Sequence, residues 1–285
     1  MKSFYKIQHP TIFQGNLETK NYFEGWYYKL VDPKEDNKLA IIPGVALTED
    51  KSYSHAFLQV LDGKTADYTY LEYPLESFSS QATPFSVRVG ENKFSTHSMK
   101  IIVDRPELSM NTKLQFGNPQ PLPFKGFSPG VMGWFAYFPF MECNHGIVSM
   151  NHELSGNCSY KTPKYDYDID FTGGKGYIEK DWGTSFPRNW IWMQTNNFRE
   201  KDRSFMLSIA TIPFLGAEFT GFLAVIYSKG KFYRFGTYNR SSFKILSLET
   251  NRVKIAVKSP KRYVLIDAQK GDDQGKDTAV MRAPI

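Results

Sequence analysis

Apolar and polar residues alternate along much of this chain, and such alternation is typical of β-strands with one buried face. In residues 253–258, for example, two valines and an isoleucine alternate with two lysines and an alanine. No segment repeats apolar residues at positions i, i+3, i+4 and i+7, which is the spacing of an amphipathic helix. The sequence therefore predicts an all-β protein with little helix.

The same alternation, interrupted by turn residues such as Asp62 and Gly63, predicts a succession of short strands. We expect strands at residues 22–30, 38–42, 54–61, 85–89, 98–104, 110–116, 131–140, 145–154, 204–212, 219–227, 231–235, 243–248, 252–257 and 263–268. Residues 117–130 are rich in proline and glycine and are predicted to be a loop. Residues 156–174 are polar and are predicted to be a connector.

An aromatic strand, a charged loop and an apolar strand occur twice in the same order. The first copy begins near Trp26 and the second near Trp190, an offset of 190 − 26 = 164 residues. A duplicated antiparallel meander would explain this echo, and a chance match of two aromatic hairpins is the alternative. The echo predicts two β-barrels in tandem, formed by residues 1–160 and 161–285. The second barrel would be opened by the motif-rich stretch 173–198.

Two acids, Glu179 and Asp181, lie two residues apart in this stretch. In an extended strand they share one face with Tyr177, because side chains alternate between faces. Carboxylates held side by side repel as anions, so one of them should retain a proton near neutral pH. The alternative is that both acids are solvated or paired with Lys180 and Arg188.

Alternation continues in the following segment, where Trp190, Trp192, Gln194 and Asn196 share one face. A face graded from indole to carboxamide suits a pocket wall that holds an apolar body and hydrogen-bonds its polar end. A core strand whose far end emerges into water is the alternative.

Composition narrows the classes of function. Aromatic residues make up 16% of the 285 residues, so the core should be rich in rings. The net charge of +6 comes from scattered lysines without a dense basic block, so we expect no nucleic acid partner. This charge permits loose attraction to an anionic membrane surface. Two cysteines, Cys143 and Cys158, are too few for a disulfide framework.

The chain also shows no targeting or spanning segment. Its first residues lack the apolar core of a signal peptide, and no stretch approaches the ~20 apolar residues that cross a bilayer. We therefore expect a cytoplasmic protein, peripheral at most to a membrane.

Three blocks of sequence resemble the tocopherol cyclase family. They are Tyr-Phe-Glu-Gly-Trp-Tyr-Tyr-Lys at 22–29, Pro-Phe-Met-Glu-Cys-Asn-His-Gly-Ile-Val-Ser-Met-Asn-His at 139–152, and the stretch 174–196 with Gly-Tyr-Ile-Glu-Lys-Asp-Trp-Gly and Trp-Ile-Trp-Met-Gln-Thr-Asn. The resemblance runs from about residue 21 to the end of the chain. At 285 residues the chain is shorter than the plant cyclases and looks like a bacterial relative of them. It implies lipocalin-like barrels and a cofactor-free cyclisation of a prenylated hydroquinone to a chromanol.

Such a ring closure needs an acid that protonates an alkene and groups that stabilise the tertiary cation. Asp181 is the predicted acid, with Glu179 as its alternative or partner. Indoles can stabilise the cation, and polar groups can hold the quinol oxygens. The predicted substrate-binding residues are Glu24, Trp26, Tyr28, Asn144, His145, Trp182, Trp190, Trp192, Gln194 and Asn196.

Several alternatives stay open at this point. Glu24 could instead pair with Lys29 or Arg188. His145 and His152 are seven residues apart, which places them on opposite faces of one strand, so we expect no shared metal. No metal, nucleotide or serine-hydrolase motif is present, and we expect no cofactor. The predicted partner is an apolar small molecule, bound either by an enzyme or by a non-catalytic carrier. A structural or interaction protein that retains the fold is the third hypothesis.

Overall fold

The computed structural model describes residues 4–124, 126, 128–138, 141–200, 202–214 and 217–269. Strands dominate these residues, as the alternation predicted. They are β1 (Tyr22–Val31), β2 (Lys38–Leu47), β3 (His55–Asp62), β4 (Tyr68–Pro74), β5 (Phe78–Ala82), β6 (Phe85–Val89), β7 (Asn92–Ser95), β8 (Ser98–Arg105), β9 (Leu108–Gly117), β10 (Cys143–Lys161), β11 (Asp166–Asp170), β12 (Lys175–Gly183), β13 (Trp190–Thr195), β14 (Arg203–Phe214), β15 (Ala217–Ser228), β16 (Lys231–Gly236), β17 (Ser242–Leu248), β18 (Arg252–Ser259) and β19 (Arg262–Gln269).

Helical structure is confined to short pieces in the described part of the chain. One α-helix spans Phe4–Gln8, and 3-10 turns span Lys51–Tyr53, Leu75–Ser77, Gly133–Tyr137 and Thr237–Asn239. None of the described helices is long and apolar enough to cross a membrane. The prediction of a nearly all-β protein is confirmed.

Three antiparallel sheets are formed. The first has twelve strands in the order β4-β3-β2-β1-β12-β10-β9-β8-β7-β6-β5, with β11 added to β10. The second has the order β13-β14-β15-β16, and the third β17-β18-β19. Leu71 on β4 and Phe78 on β5, at opposite ends of the first sheet, share one core with Trp26 and Tyr28. The first sheet therefore curls around its own core.

The prediction of two closed barrels in tandem is not confirmed. Among the described residues no pairing joins the two end strands of the first sheet, and the C-terminal strands form two separate sheets. The first sheet also takes β12 from beyond residue 160, because β12 pairs with β1 on one side and β10 on the other. The predicted boundary after residue 160 falls at the end of β10, and the division into two domains stays a prediction.

Two local predictions were wrong. Residues 131–138 form a turn and a 3-10 helix instead of a strand, and residues 139 and 140 lie outside the described part. Residues 156–174 contain the end of β10 and all of β11. Gly156, the first residue of the predicted connector, lies within β10 at φ 121°, where a Cβ would lie 2.2 Å from the carbonyl oxygen of Lys113. Glycine serves here for the close approach of β10 to β9.

The second sheet is the middle layer of the molecule. On one side, Met206 and Val225 pack with Ile147 and Tyr177 of the first sheet. On the other side, its residues pack against the third sheet in a separate cluster that includes Ile255. The gap between the first and second sheets holds the polar residues described next.

Candidate functional site

Strand β12 is central in the first sheet, and its alternation decides which side chains reach the gap. Tyr177, Glu179 and Asp181 share one face, as the sequence predicted, and this face borders the second sheet. Asp181 lies directly opposite His145 in the pairing of β12 with β10. Residues directly opposite on antiparallel strands have neighbouring side chains, so the two meet.

His145 lies between the two acids. Its Nδ1 is 2.6 Å from Asp181 Oδ1, and its Nε2 is 3.3 Å from Glu179 Oε2 without the alignment of a hydrogen bond. Glu179 Oε2 also accepts hydrogen bonds from the Tyr177 hydroxyl at 2.6 Å and from Trp192 Nε1 at 3.3 Å. Within the described residues Glu179 Oε1 has no hydrogen-bond partner, although the side chain is only 1% exposed.

This arrangement determines where the proton resides. Burial alone would lower the pKa of His145, but the charges of Asp181 and Glu179 outweigh burial and hold that pKa well above its usual value. Burial and the charge of Glu179 also raise the pKa of Tyr177, which therefore donates to the carboxylate as a neutral phenol. From the sequence we expected one of the two acids to retain a proton. In the structure the proton resides instead on His145, whose imidazolium contacts both acids.

A cavity of about 110 Å³ adjoins the cluster. Glu179, Asp181 and His145 form part of its wall, and most of the rest is apolar. The other lining residues are Met132, Met141, Glu142, Cys143, Phe186, Pro187, Trp190, Trp192, Ser208, Ala210, Thr211, Ile212, Pro213 and Leu223. Ligand pockets usually enclose ~300–1,000 Å³, so this cavity can take only the reacting end of a large ligand.

Four predicted substrate-binding residues lie on the opposite face of the first sheet. Glu24 pairs there with Lys180 at 2.5 Å, rather than with the partners considered above. Lys180 Nζ also lies 4.8 Å from the ring of Trp26 and 4.7 Å from that of Trp182. Tyr28 is buried in the core of the first sheet. Alternation places Glu24, Trp26 and Tyr28 on one face of β1, but alternation alone does not tell which face borders the cavity.

Three predicted amides lie away from the cavity. Asn144 donates to the carbonyl of Trp182 at 3.3 Å. Gln194 Oε1 accepts from Lys29 Nζ at 2.8 Å, and Asn196 donates to the carbonyl of Gly176 at 3.0 Å. The latter two amides bind the second sheet to the first. Trp190 and Trp192, from the same face of β13, do line the cavity.

Sequence reasoning missed part of the cavity wall. It did not identify Met132 and Met141, which flank the aromatic 3-10 turn, or Ser208 and Thr211 on β14. It assigned His145 to a quinol oxygen and did not foresee its position between the acids. Alternation places side chains on a face, but the register between distant strands decides which faces meet.

The same three side chains could hold a metal ion. Single ligand atoms of His145, Glu179 and Asp181 all lie within 4.8 Å of one another. No metal motif is visible in the sequence, because these residues come from two strands more than 30 positions apart. The expectation of a metal-free site stays a prediction.

Comparison with known proteins connects the cluster to a family. A model of the tocopherol cyclase-like family matches residues 109–245, a segment that contains His145, Glu179 and Asp181. Residues 109–245 are tocopherol cyclase-like. The resemblance predicted from the sequence is confirmed.

Plant relatives share this similarity over limited lengths. A protein described as a probable chloroplastic tocopherol cyclase of Oryza sativa subsp. japonica is 33% identical over 112 residues, covering 36% of this chain and 22% of the relative. The chloroplastic tocopherol cyclase of Zea mays is 33% identical over 66 residues, covering 23% of this chain and 13% of the relative. The matched part thus spans about a fifth or less of these family members.

Solved structures share the fold. The crystal structure of CghA with Sch210972 has a TM-score of 0.58 and 10% identity, covering 87% of this chain and 75% of CghA. A Nitrosomonas europaea protein described as AttH has a TM-score of 0.50 and 13% identity, covering 85% of this chain and 78% of that chain. At such low identity these likenesses concern architecture alone.

Proposed function

We propose that this protein catalyses the cofactor-independent, acid-initiated cyclisation of a prenylated hydroquinone to a chromanol. The observation that carries the proposal is the position of His145 between Glu179 and Asp181 at the wall of an apolar cavity. Tocopherol cyclase-like similarity over the segment that contains all three residues supports it.

The reaction needs no net proton, which suits a cluster with two carboxyls. The resting proton resides on His145, so Asp181 takes it from Nδ1 and delivers it to one alkene carbon, while the other carbon becomes a tertiary cation. The phenol oxygen attacks this cation to form the C–O bond, and Glu179 receives the phenol proton. Return of this proton from Glu179 to His145 restores the imidazolium, so the cycle consumes no net proton.

The surrounding side chains favour the cationic intermediate. The indoles of Trp190 and Trp192 line the cavity, and an aromatic face can stabilise a cation by ~0.5–2 kcal/mol. Glu179 is almost fully buried, where its negative charge is weakly screened. Because Trp190 is 42% exposed, the prenyl chain can leave the small cavity along this indole.

The proposal is tested by turnover of a synthetic prenylated hydroquinone, followed by chromatography of the chromanol. Asp181→Asn and Glu179→Gln should each lower turnover by ~10²–10⁴-fold, the usual contribution of a general acid or base. Glu153→Gln is the matched control, because Glu153 is an exposed acid on β10, the strand of His145, but does not line the cavity and should leave turnover unchanged. Unchanged turnover in both cluster variants would refute the assignment.

A carrier of an apolar isoprenoid or lipid is the second candidate, and the predominantly apolar wall of the cavity favours it. A carrier would bind the quinol without forming a chromanol, and both cluster variants would retain that binding. Titration of the quinol against intrinsic tryptophan fluorescence, beside the turnover assay, separates the two functions.

A further inference from the structure

Four cations form a row across the outer face of the first sheet. Arg88 on β6 lies directly opposite Lys93 on β7, Lys93 opposite Lys100 on β8, and Lys100 opposite Lys113 on β9. All four residues are exposed. Neighbouring strands are ~4.8 Å apart, so the row places four positive charges along ~14 Å.

The row has no compensating acids. Within the described residues, none of its four members makes an ion pair or a side-chain hydrogen bond. By contrast, Lys20, Lys161 and Lys164 pair with acids at 2.9, 2.8 and 3.4 Å. Apart from the exposed Ile102 on β8 and its partner Asn111, the strand neighbours that continue the row or flank it on the same face carry uncharged polar side chains. They are Ser79, Ser86, Ser95, Ser98, Gln115 and Asn157.

Such a row is unfavourable for folding. Like charges directly opposite each other on adjacent strands destabilise a sheet, and this row contains three such contacts. Long basic side chains that rise above short neighbours can all reach one external partner. A negatively charged surface that neutralises the row would relieve this repulsion between the four side chains.

We propose that the row of Arg88, Lys93, Lys100 and Lys113 is a docking surface for an anionic lipid bilayer. Charge complementarity carries the proposal, since each basic residue near an anionic surface increases binding by about fivefold. The positions that adjoin the row carry no aromatic side chain on which bases could stack, which argues against single-stranded nucleic acid. The role of this surface in supplying a membrane-resident quinol rests on the proposed function, whereas the binding itself does not.

The test is sedimentation of the full chain with vesicles. Vesicles of phosphatidylcholine are compared with vesicles in which phosphatidylserine replaces about a third of that lipid. Wild-type protein should bind the second kind only. Lys100→Glu should reduce this binding about 30-fold, because the change amounts to two charges.

Lys100→Glu should also stabilise the fold, since it converts repulsion from Lys93 and Lys113 into two attractive contacts. We expect its thermal midpoint to rise by about 2–4 °C. Lys258→Glu is the matched control: Lys258 is exposed, lies opposite Ser242 and Tyr263, and makes no ion pair in the described part of the chain. This variant has the same net charge but should lose little binding and gain no stability.

Three results would overturn the proposal. One is equal loss of binding in Lys100→Glu and Lys258→Glu, which would indicate general charge attraction. Another is binding of duplex DNA in place of the anionic vesicles, and the third is no binding of wild-type protein to either vesicle. Failure of the proposed reaction is distinguishable, because Asp181→Asn should lower turnover yet sediment like wild type. The Lys100→Glu variant should convert detergent-solubilised quinol at the rate of the wild-type protein.

Discussion

The buried pair of Glu24 and Lys180 offers a quantitative test of the fold around the site. Both side chains are fully buried, with Lys180 Nζ 2.5 Å from Glu24 Oε1. Lys180 also donates to the carbonyls of Pro10 and Ile12. The pair therefore ties the segment before β1 to β12, the strand that carries Glu179 and Asp181.

Replacing Glu24 by Gln should lower the free energy of unfolding by about 3–5 kcal/mol at pH 7, because it leaves a buried cation without its anion. Lys180→Met should cost less. In that variant Glu24 keeps hydrogen bonds from the backbone N–H groups of Gln14 and Gly15 and from the Tyr22 hydroxyl. The double variant should cost less than the sum of the single changes, since it removes both charges.

The pH dependence has a defined sign. Burial lowers the pKa of Lys180 to about 8, although the charge of Glu24 opposes this. An unfolded lysine keeps its proton to about pH 10.4, so between about pH 8 and pH 10.4 the unfolded state binds more protons than the folded state. The contribution of Lys180 to the free energy of unfolding therefore rises with pH. Removing Glu24 lowers the pKa of Lys180 further, so the free energy of unfolding of the variant begins to rise at a lower pH than that of the wild type. The decrease in unfolding free energy caused by Glu24→Gln should therefore be smaller at pH 9 than at pH 7.

Urea denaturation followed by circular dichroism at both pH values measures these quantities. The double-mutant cycle should give a coupling above 1 kcal/mol, as expected for contacting groups. Single losses below about 1 kcal/mol, or a loss in Glu24→Gln that grows with pH, would show that the pair is hydrated and that this reasoning is wrong.

Three further changes test the neighbouring contacts. Because the pKa of His145 is raised in the folded state, its contribution to the free energy of unfolding is fully present below pH 6.5 and is lost as the pH rises through the raised pKa. Urea denaturation of the His145→Gln variant should not show this loss. Gly176→Ala should cost ~1–3 kcal/mol, because its Cβ would lie 2.1 Å from His152 Nε2; adding His152→Ala should restore stability, and no restoration would contradict this. Trp192→Phe removes the hydrogen bond to Glu179 and should lower unfolding free energy by ~1–3 kcal/mol in the same assay; an unchanged value would contradict that contact.

Local alternation in the sequence was sufficient to group side chains by face. Tyr177, Glu179 and Asp181 lie together because the period of a strand is two residues, whatever pairs with it. For the same reason Trp190 and Trp192 share the wall of the cavity. These groupings depend only on neighbours in sequence and could therefore be predicted, whereas the roles of these residues stay predictions.

Long-range pairing could not be inferred in this way. The contact of His145 with Asp181 depends on the register of β10 against β12, and the interior position of Trp26 depends on the curl of the first sheet. The echo between Trp26 and Trp190 marks two antiparallel strand pairs, β1 with β2 and β13 with β14, but not two equivalent positions in the fold. Trp26 lies on a central strand of the first sheet, whereas Trp190 begins an edge strand of the second.

The most direct test of the central claim is the protonation of His145, measured by nitrogen NMR of protein labelled with ¹⁵N-histidine. We predict that both ring nitrogens of His145 stay protonated well above pH 6.5, because Asp181 and Glu179 hold the proton there. His152 is the internal reference, since burial lowers its pKa to about 3 and keeps it neutral across the same range. An ordinary titration of His145 near pH 6.5, absent in the His145→Gln spectrum, would contradict the shared proton on which the proposed chemistry depends.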